Sequence, residues 1–285
     1  MSKLKIALQK SGRLSEKSIA LLEECGLKFP NGGGKLITES SNFPVEILFL
    51  RDDDIPQYVE QNVAHIGIIG ENVFIESQKQ INIIEKLNFS GCRLSLAVPK
   101  ETDYEEVSFF NNKKIATSYP NILQNYFNEN GINATVEVIS GSVEIAPGIG
   151  LADGICDIVS SGSTLLSNGL KEVEIVLKSQ AVLVSNQNLD EEIQSILNKL
   201  LFRIRSVQKA KENKYILLNT PNKQLEKIVQ ILPGMNSPTI LPLAKEGWSS
   251  LHSVISEEKF WEIIDELKEA GAEGILVVPI EKMIL

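Results

Sequence analysis

Apolar positions in the first hundred residues come in short runs broken by polar turns, a pattern that predicts strands alternating with helices. Leu4-Lys5-Ile6-Ala7-Leu8 reads as a buried strand. Lys10-Ser11-Gly12-Arg13-Leu14 follows, then a helix capped by Ser15, with Ile19, Leu22 and Cys25 inward and Gly26 as its stop. Val45–Leu50 is the next strand, ending at Arg51-Asp52-Asp53-Asp54, where Asp54 caps a short helix opened by Ile55-Pro56. Residues 64–69 (ending in Gly70-Glu71-Asn72), 81–87 and 93–98 are further strands. This is the grammar of a mostly parallel α/β sheet, whose ligands sit beyond the carboxyl ends of the strands. Lys10, Arg13, Arg51 and Glu71 all fall at such ends.

The alternation continues with a strand at 113–117, a helix at 119–130 and a strand at 134–139. The helix carries Ile122, Leu123, Tyr126 and Phe127 on one face and stops at Gly131. Then comes SGSVEIAPGIGLADGICDIVSSGSTLLSNGL, residues 140–170. Asp153 and Asp157 precede Ile158-Val159, a small-residue loop Ser160-Ser161-Gly162-Ser163-Thr164, and Leu165-Leu166-Ser167-Asn168-Gly169. Strand, small-residue loop and helix start together make a phosphate cradle, with free N–H groups, hydroxyl donors and nothing bulky in the way. The acids beside it suit sugar hydroxyls or a Mg²⁺ that travels with a polyphosphate. The plainer alternative, a tight turn with solvated carboxylates, stays open at this point. It stays open for Lys10–Arg13 too, where two cations flank a glycine. Gly148-Ile149-Gly150 with Gly154 misses the dinucleotide fingerprint by one residue. Gly32-Gly33-Gly34-Lys35 lacks the spacing of a P-loop and reads as a surface turn.

The long extended segment 172–185 is suited to return to the first lobe, so two lobes joined by two crossings enclose a cleft. Residues 189–211 form an amphipathic helix, after which strands and helices restart as βαββαβ, a ferredoxin-like arrangement. The expected division is 1–88 with 180–212 as lobe I, 89–179 as lobe II and 213–285 as the ferredoxin-like domain.

A chain of 285 residues with 43% apolar residues is long enough for several cores. Its acids outnumber its bases, 37 to 28, which argues against a general nucleic-acid binder and leaves room for local anion sites. Cys25, Cys92 and Cys156 form no CxxC pair and read as buried reduced thiols of a cytoplasmic protein. His65 and His252 are too few and too far apart for a zinc site. Neither a signal-peptide core nor an apolar run of membrane-spanning length is expected, so no membrane partner is either.

These motifs resemble the ATP phosphoribosyltransferase family, first in histidine biosynthesis. The resemblance lies in Lys10-Ser11-Gly12-Arg13-Leu14, Asp54-Ile55-Pro56, His65-Ile66-Gly67-Ile68, Gly141-Ser142-Val143-Glu144, Leu151-Ala152-Asp153-Gly154-Ile155-Cys156-Asp157 and the loop that follows. In the tail it lies in Leu232-Pro233-Gly234-Met235, Ser237-Pro238-Thr239 and Pro279-Ile280-Glu281-Lys282-Met283, which mark the long form. Ser161 stands where the family often has Thr, and a hydroxyl remains. The resemblance implies a periplasmic-binding-protein-like catalytic core with a ferredoxin-like regulatory domain. It implies Mg²⁺-dependent transfer between ATP and 5-phosphoribosyl 1-diphosphate. Ser160, Ser161, Gly162, Ser163 and Thr164 would hold the 5-phosphate, Asp157 and Asp153 ribose hydroxyls or metal, and Lys10, Arg13 and Arg51, with Ser11 and Gly12, the polyphosphate oxygens. Glu71 and Glu144 would be further polar contacts. Histidine would inhibit a homo-oligomer, dimer to hexamer, by binding near Ser237 and Thr239.

Overall fold

The computed structural model describes residues 2–30, 35–232, 234–235 and 237–284. The expected glycine turn at 32–34 and Pro233 of the tail motif lie outside them. The chain divides into two compact units, 1–23 with 27–197 and 24–26 with 198–285. The division falls inside a long helix rather than at 213, because the second half of that helix packs with the ferredoxin-like domain. There Met283 N–H donates to the Ser206 carbonyl at 3.0 Å, and residues 24–26 join the same unit through Arg203, which donates to the Cys25 carbonyl at 3.2 Å, and Lys211, which pairs with Glu24.

In the first unit the chain runs β1 (Leu4–Gln9), α1 (Arg13–Glu24), β2 (Ile37–Glu39), β3 (Val45–Leu50), α2 (Ile55–Glu60), β4 (Ile66–Gly70), α3 (Glu71–Ser77) and β5 (Ile81–Lys86). It crosses to the second lobe for β6 (Cys92–Pro99), β7 (Lys114–Thr117), α4 (Pro120–Glu129), β8 (Thr135–Val138), β9 (Gly154–Val159), α5 (Ser163–Ser167) and β10 (Leu170–Ser179). It returns as β11 (Ala181–Asn186) and enters α6 (Glu191–Glu212).

Lobe I is a six-stranded sheet, β2-β3-β1-β4-β11-β5, and lobe II a five-stranded sheet, β10-β6-β9-β7-β8. Each is parallel at its centre, and the strands that come from or go to the other lobe run antiparallel. The segment expected as one extended run is two strands in different sheets, broken at Gln180. The two crossings are tied together, Leu87 N–H to the Ala181 carbonyl (2.9 Å) and Ala181 N–H to the Phe89 carbonyl (3.0 Å). Ile6, Leu8, Ile47, Ile66 and Ile68 are among the largest fully buried side chains of lobe I, and consecutive residues such as Ala7 and Ile69 are buried too, as a sheet covered on both faces requires. In lobe II, Phe110, Leu123 and Phe127 pack under Leu94 and Leu96.

Two expected caps are displaced. Helix α1 starts at Arg13, since Gly12 at φ +96° turns the chain early and its carbonyl accepts from Glu16 N–H. Ser15 therefore lies inside the helix, buried, rather than at its cap. Asp54 ends a 3₁₀ turn (Asp52–Asp54) with helical backbone and makes no side-chain cap bond. Two elements, β2 and α3, give no clear sequence signal: one is three residues long, the other follows β4 without a break.

The second unit carries β12 (Asn213–Pro221), α7 (Leu225–Ile231), β13 (Thr239–Pro242), β14 (Trp248–Ser256), α8 (Glu257–Glu269) and β15 (Glu273–Pro279). Their sheet order, β13-β14-β12-β15 with every pair antiparallel, is the ferredoxin-like one. Helices α7 and α8 cover one face through Ile228, Phe260, Ile263 and Leu267 against Leu218 and Leu251. His252 on β14 is hydrogen-bonded to Tyr215 Oη (2.7 Å) and Ser250 Oγ (3.1 Å).

Candidate active site

Register decides what meets at the carboxyl edge of lobe I. Gln9 lies opposite Leu50, so Lys10 and Arg51 leave neighbouring strand ends, and Lys10 N–H donates to the Leu50 carbonyl at 2.8 Å. Lys10, Ser11, Gly12, Arg13 and Arg51 are all exposed. Glu71 is at the same edge, one residue past β4, and its carboxylate pairs with Lys86 at 3.1 Å. The edge thus offers three cations and an acid already engaged.

At the carboxyl edge of lobe II, β9 delivers Ser160–Thr164. Gly162 holds φ +79°, a left-handed conformation that admits glycine at no cost, and α5 begins directly after it. Ser161 and Ser163 hydroxyls lie 3.0 Å apart and the Ser163 N–H reaches back to Ser161 Oγ, so the loop is folded on itself. Asp157 is half-buried on β9, and burial pushes its carboxyl up, with Glu144 adding repulsion and the Ile158 N–H partly offsetting both. Glu144 comes from a 3₁₀ turn (Val143–Ile145) entered through Ser142 at φ +51°.

Asp153 does not join this site. It precedes β9, at the end of the strand away from the loop, and its Oδ2 accepts from Lys114 N–H at 2.9 Å, with Lys113 nearby. Six strand residues separate it from Ser160, about 20 Å at strand rise. The four residues from Asp153 to Asp157 span more than ten ångström on a strand.

Between the lobes lies a cleft of about 340 Å³. Gln9, Arg13 and Asn72 line it from lobe I, Ser90, Cys92 and Ser179 from the crossings, and Tyr119, Ile158 and Ser160 from lobe II. A neighbouring cavity of about 380 Å³ has Asp52, Asp53 and Glu76 facing Tyr119 and Ser140. Tyr119 borders both. Burial pushes its phenol well up, and the carboxylates of Asp157, Asp52 and Asp53 push it further, so it stays a neutral donor. Asn72 is tied to the crossing by Ser179, whose hydroxyl donates to Asn72 Oδ1 at 2.8 Å and accepts from Asn72 N–H at 3.1 Å. Glu76 accepts from the first free N–H groups of α4, Asn121 at 2.9 Å and Ile122 at 3.0 Å. Tyr119, Asn72, Ser179 and Glu76 were not anticipated from sequence, since each acts through a partner more than forty residues away. Burial pushes all three thiols up, Cys25 to about 12, which keeps them as packed thiols.

The sequence profile of the family described as "ATP phosphoribosyltransferase" matches residues 51–206, and that of the HisG C-terminal domain matches 210–282. The chain belongs to the ATP phosphoribosyltransferase family. An ATP phosphoribosyltransferase of Phocaeicola vulgatus is 58% identical over 282 residues, 99% of this chain and 100% of that protein. One from Azobacteroides pseudotrichonymphae is 60% identical over the same length and coverage. Among solved structures, the "ATP phosphoribosyl transferase (HisG:HisZ) complex from Thermotoga maritima" matches with TM-score 0.61 and 29% identity, over 71% of this chain and 96% of that one. The structure of Tv2483 bound to L-arginine matches with TM-score 0.52 at 10% identity over 73% of this chain and 86% of that one, a likeness of fold alone. The C-terminal match makes this the long form of the ATP phosphoribosyltransferase family, and the ferredoxin-like sheet is the element that accounts for it. No helix among the described residues is long and apolar enough to cross a membrane.

Proposed function

We propose that the chain joins N1 of ATP to C1 of 5-phosphoribosyl 1-diphosphate and releases diphosphate, in the cytoplasm, as the first step of histidine biosynthesis. The observation that carries this reading is one cleft to which two unlike loops each lend a residue, Arg13 from the first and Ser160 from the second. Lobe I supplies exposed cations at Lys10, Arg13 and Arg51, and lobe II a small-residue loop at Ser160–Thr164. In this reading Ser160–Thr164 holds the sugar 5-phosphate through backbone N–H groups and hydroxyls. Asp157, three residues earlier on β9, holds ribose hydroxyls, and Lys10, Arg13 and Arg51 neutralise diphosphate and triphosphate oxygens. N1 of the adenine is nucleophilic without losing a proton, so the protein's work is alignment of N1 with C1 and stabilisation of the leaving diphosphate.

Among the described residues no three acids, histidines or cysteines cluster as a metal cage. A Mg²⁺ that keeps most of its ligands from the sugar diphosphate and water needs only one or two carboxylates, and Asp157, crowded by Glu144, fits that role. Such an ion supplies charge neutralisation for the leaving group. Asp153, held against Lys114 at the far end of β9, is left out. Diphosphate release, measured with ATP and the sugar diphosphate together and with each alone, tests the reading. Release without ATP, or none with both, would overturn it.

The C-terminal unit supports an effector role. Ser237 and Thr239 are exposed beside the edge strand β13, whose Ile240 and Leu241 are also exposed. An edge strand pairs readily with another chain and presents backbone groups to an amino acid's charged ends. This favours histidine as inhibitor of a homo-oligomer, dimer to hexamer, through its unequal affinity for two subunit arrangements. Thr239→Ala is expected to raise the histidine concentration for half-inhibition about tenfold without changing uninhibited kcat. Full-length enzyme indifferent to millimolar histidine would defeat this part alone.

A further inference from the structure

The phosphate loop rests on an ion pair that belongs to no motif. On β6, Arg93, Ser95 and Ala97 alternate onto one face, and on β9 Asp157 and Val159 share it, Ser95 lying opposite Asp157 and Arg93 opposite Val159. Glu172 joins from β10, where the pairing with β6 is irregular between Glu172 and Glu174. Arg93 Nε and Nη2 donate to the two Glu172 oxygens, both at 2.5 Å, in a two-pronged fork. Ser95 Oγ donates to Glu172 Oε1 at 2.7 Å. The remaining arm, Nη1, donates to the carbonyl of Ser160 at 3.2 Å.

That last bond fixes a direction. Peptides are planar and trans, with N–H and C=O pointing opposite ways, and no cis peptide is present here. Turning the Ser160 carbonyl onto Arg93 therefore turns the Ser161 N–H away from it, to the outer side of the loop. An arginine held at two points by a carboxylate has little freedom left, so the third bond is placed by Glu172 rather than by chance. We propose that Arg93, oriented by Glu172 and Ser95, is the positioning residue of the phosphate loop, setting the peptide between Ser160 and Ser161 so that its N–H meets the sugar 5-phosphate. This rests on the assignment of Ser160–Thr164 to that phosphate.

Two simpler roles predict different results. If Arg93 acted as a charge on the ligand, Arg93→Lys would restore function, and removing the neighbouring negative charge of Glu172 would tighten anion binding. If the pair were only structural, both substrates' KM values and the melting temperature would move together. The positioning role predicts that Arg93→Ala and Glu172→Ala each raise KM for the sugar diphosphate about tenfold, with KM for ATP within about twofold of wild type. Arg93→Lys, which cannot form the fork, should not rescue. Arg93→Ala with Glu172→Ala should be no worse than either alone, the mark of residues that act as one unit. Should Glu172→Ala fail to fold, the isosteric Glu172→Gln, which weakens one prong, should raise the same KM about threefold. An unchanged or lowered KM in a folded Glu172 variant, or rescue by lysine, overturns the proposal. Gly162→Val, measured alongside, separates the two ways to fail. If it raises KM while the Arg93 and Glu172 variants do not, the brace is wrong and the loop stands. If it too leaves KM unchanged, loop and brace fall together.

Discussion

The loop at Lys10–Arg13 and the loop at Ser160–Thr164 each lend a residue to the same cleft, Arg13 and Ser160, and are built on opposite plans. The first carries its chemistry in side chains, with Lys10 and Arg13 exposed and Arg51 on the next strand end. The second carries little charge of its own. It relies on backbone direction, through Gly162 at φ +79° and a carbonyl pinned by Arg93, and it keeps its charges on the strands beneath. In the proposed reading the difference suits what each loop would do: a leaving diphosphate would be met by exposed cations, whereas a 5-phosphate that stays put would be held by a fixed cradle.

Removing the charged side of the comparison should have the largest effect. Lys10→Ala with Arg13→Ala is expected to lower kcat/KM about 10³-fold, or ~4 kcal/mol, while the melting temperature stays put because both side chains are exposed. Loss should appear in kcat as well as KM if these cations meet the leaving group. A pure KM effect would make them ground-state binders. Next comes Asp157→Asn, with a fall in kcat/KM of on the order of 10²-fold, ~2.7 kcal/mol. Kinetics within about threefold of wild type would make Asp157 a bystander and leave lobe II with no charged contribution to the reaction.

The two plans also differ in how far sequence exposes them. Side-chain chemistry at a strand end is visible in one dimension, and Lys10, Arg13, Arg51 and Asp157 lie where alternation and turn residues put them. The sheets, the lobes and the ferredoxin-like order followed from the same periodicity. Backbone direction is not visible, because it is set by partners distant in sequence. Arg93 and Ser160 are 67 residues apart and Arg93 and Glu172 79 apart. Asn72 meets Ser179 across 107. Asp153, read from sequence as lying beside the loop, is at the other end of β9, because the four residues to Asp157 span more than ten ångström of strand. The unit boundary at 197 is illegible because it falls inside α6, which runs unbroken from Glu191 to Glu212.

A smaller effect tests the backbone plan directly. A Cβ at Gly162 would come no closer than 3.9 Å to its surroundings, so Gly162→Val does not fail by crowding. It fails because φ +79° is strained for a β-branched residue, at about 1–3 kcal/mol. The loop should relax to another backbone, and KM for the sugar diphosphate should rise about tenfold with KM for ATP little changed. If Gly162→Ala restores wild-type KM, conformation is not what the loop contributes.

The smallest expected effect concerns the brace and carries a definite sign. The bonds from Arg93, and then Ser95, hold the Glu172 carboxyl below its ordinary 4.5, against the opposing pull of burial. A carboxyl lowered by folding stabilises the native state above its unfolded pKa, and that contribution is lost as pH falls through the lower, folded value. Glu172→Gln should therefore melt about 2 °C below wild type at pH 7, and the gap should close as the pH is taken from about 4.5 downward. Ion pairs a quarter to a third exposed are worth little, which keeps the figure small. Arg13→Gln, at the exposed loop of the other lobe, supplies the baseline, since it removes an exposed cation. Melting curves of the three proteins from pH 7 to pH 3 decide it. A gap that stays constant with pH would mean that Glu172 supports the loop by shape alone. A gap that widens in acid would mean that the carboxylate is a burden to the fold, kept for what it does to Arg93.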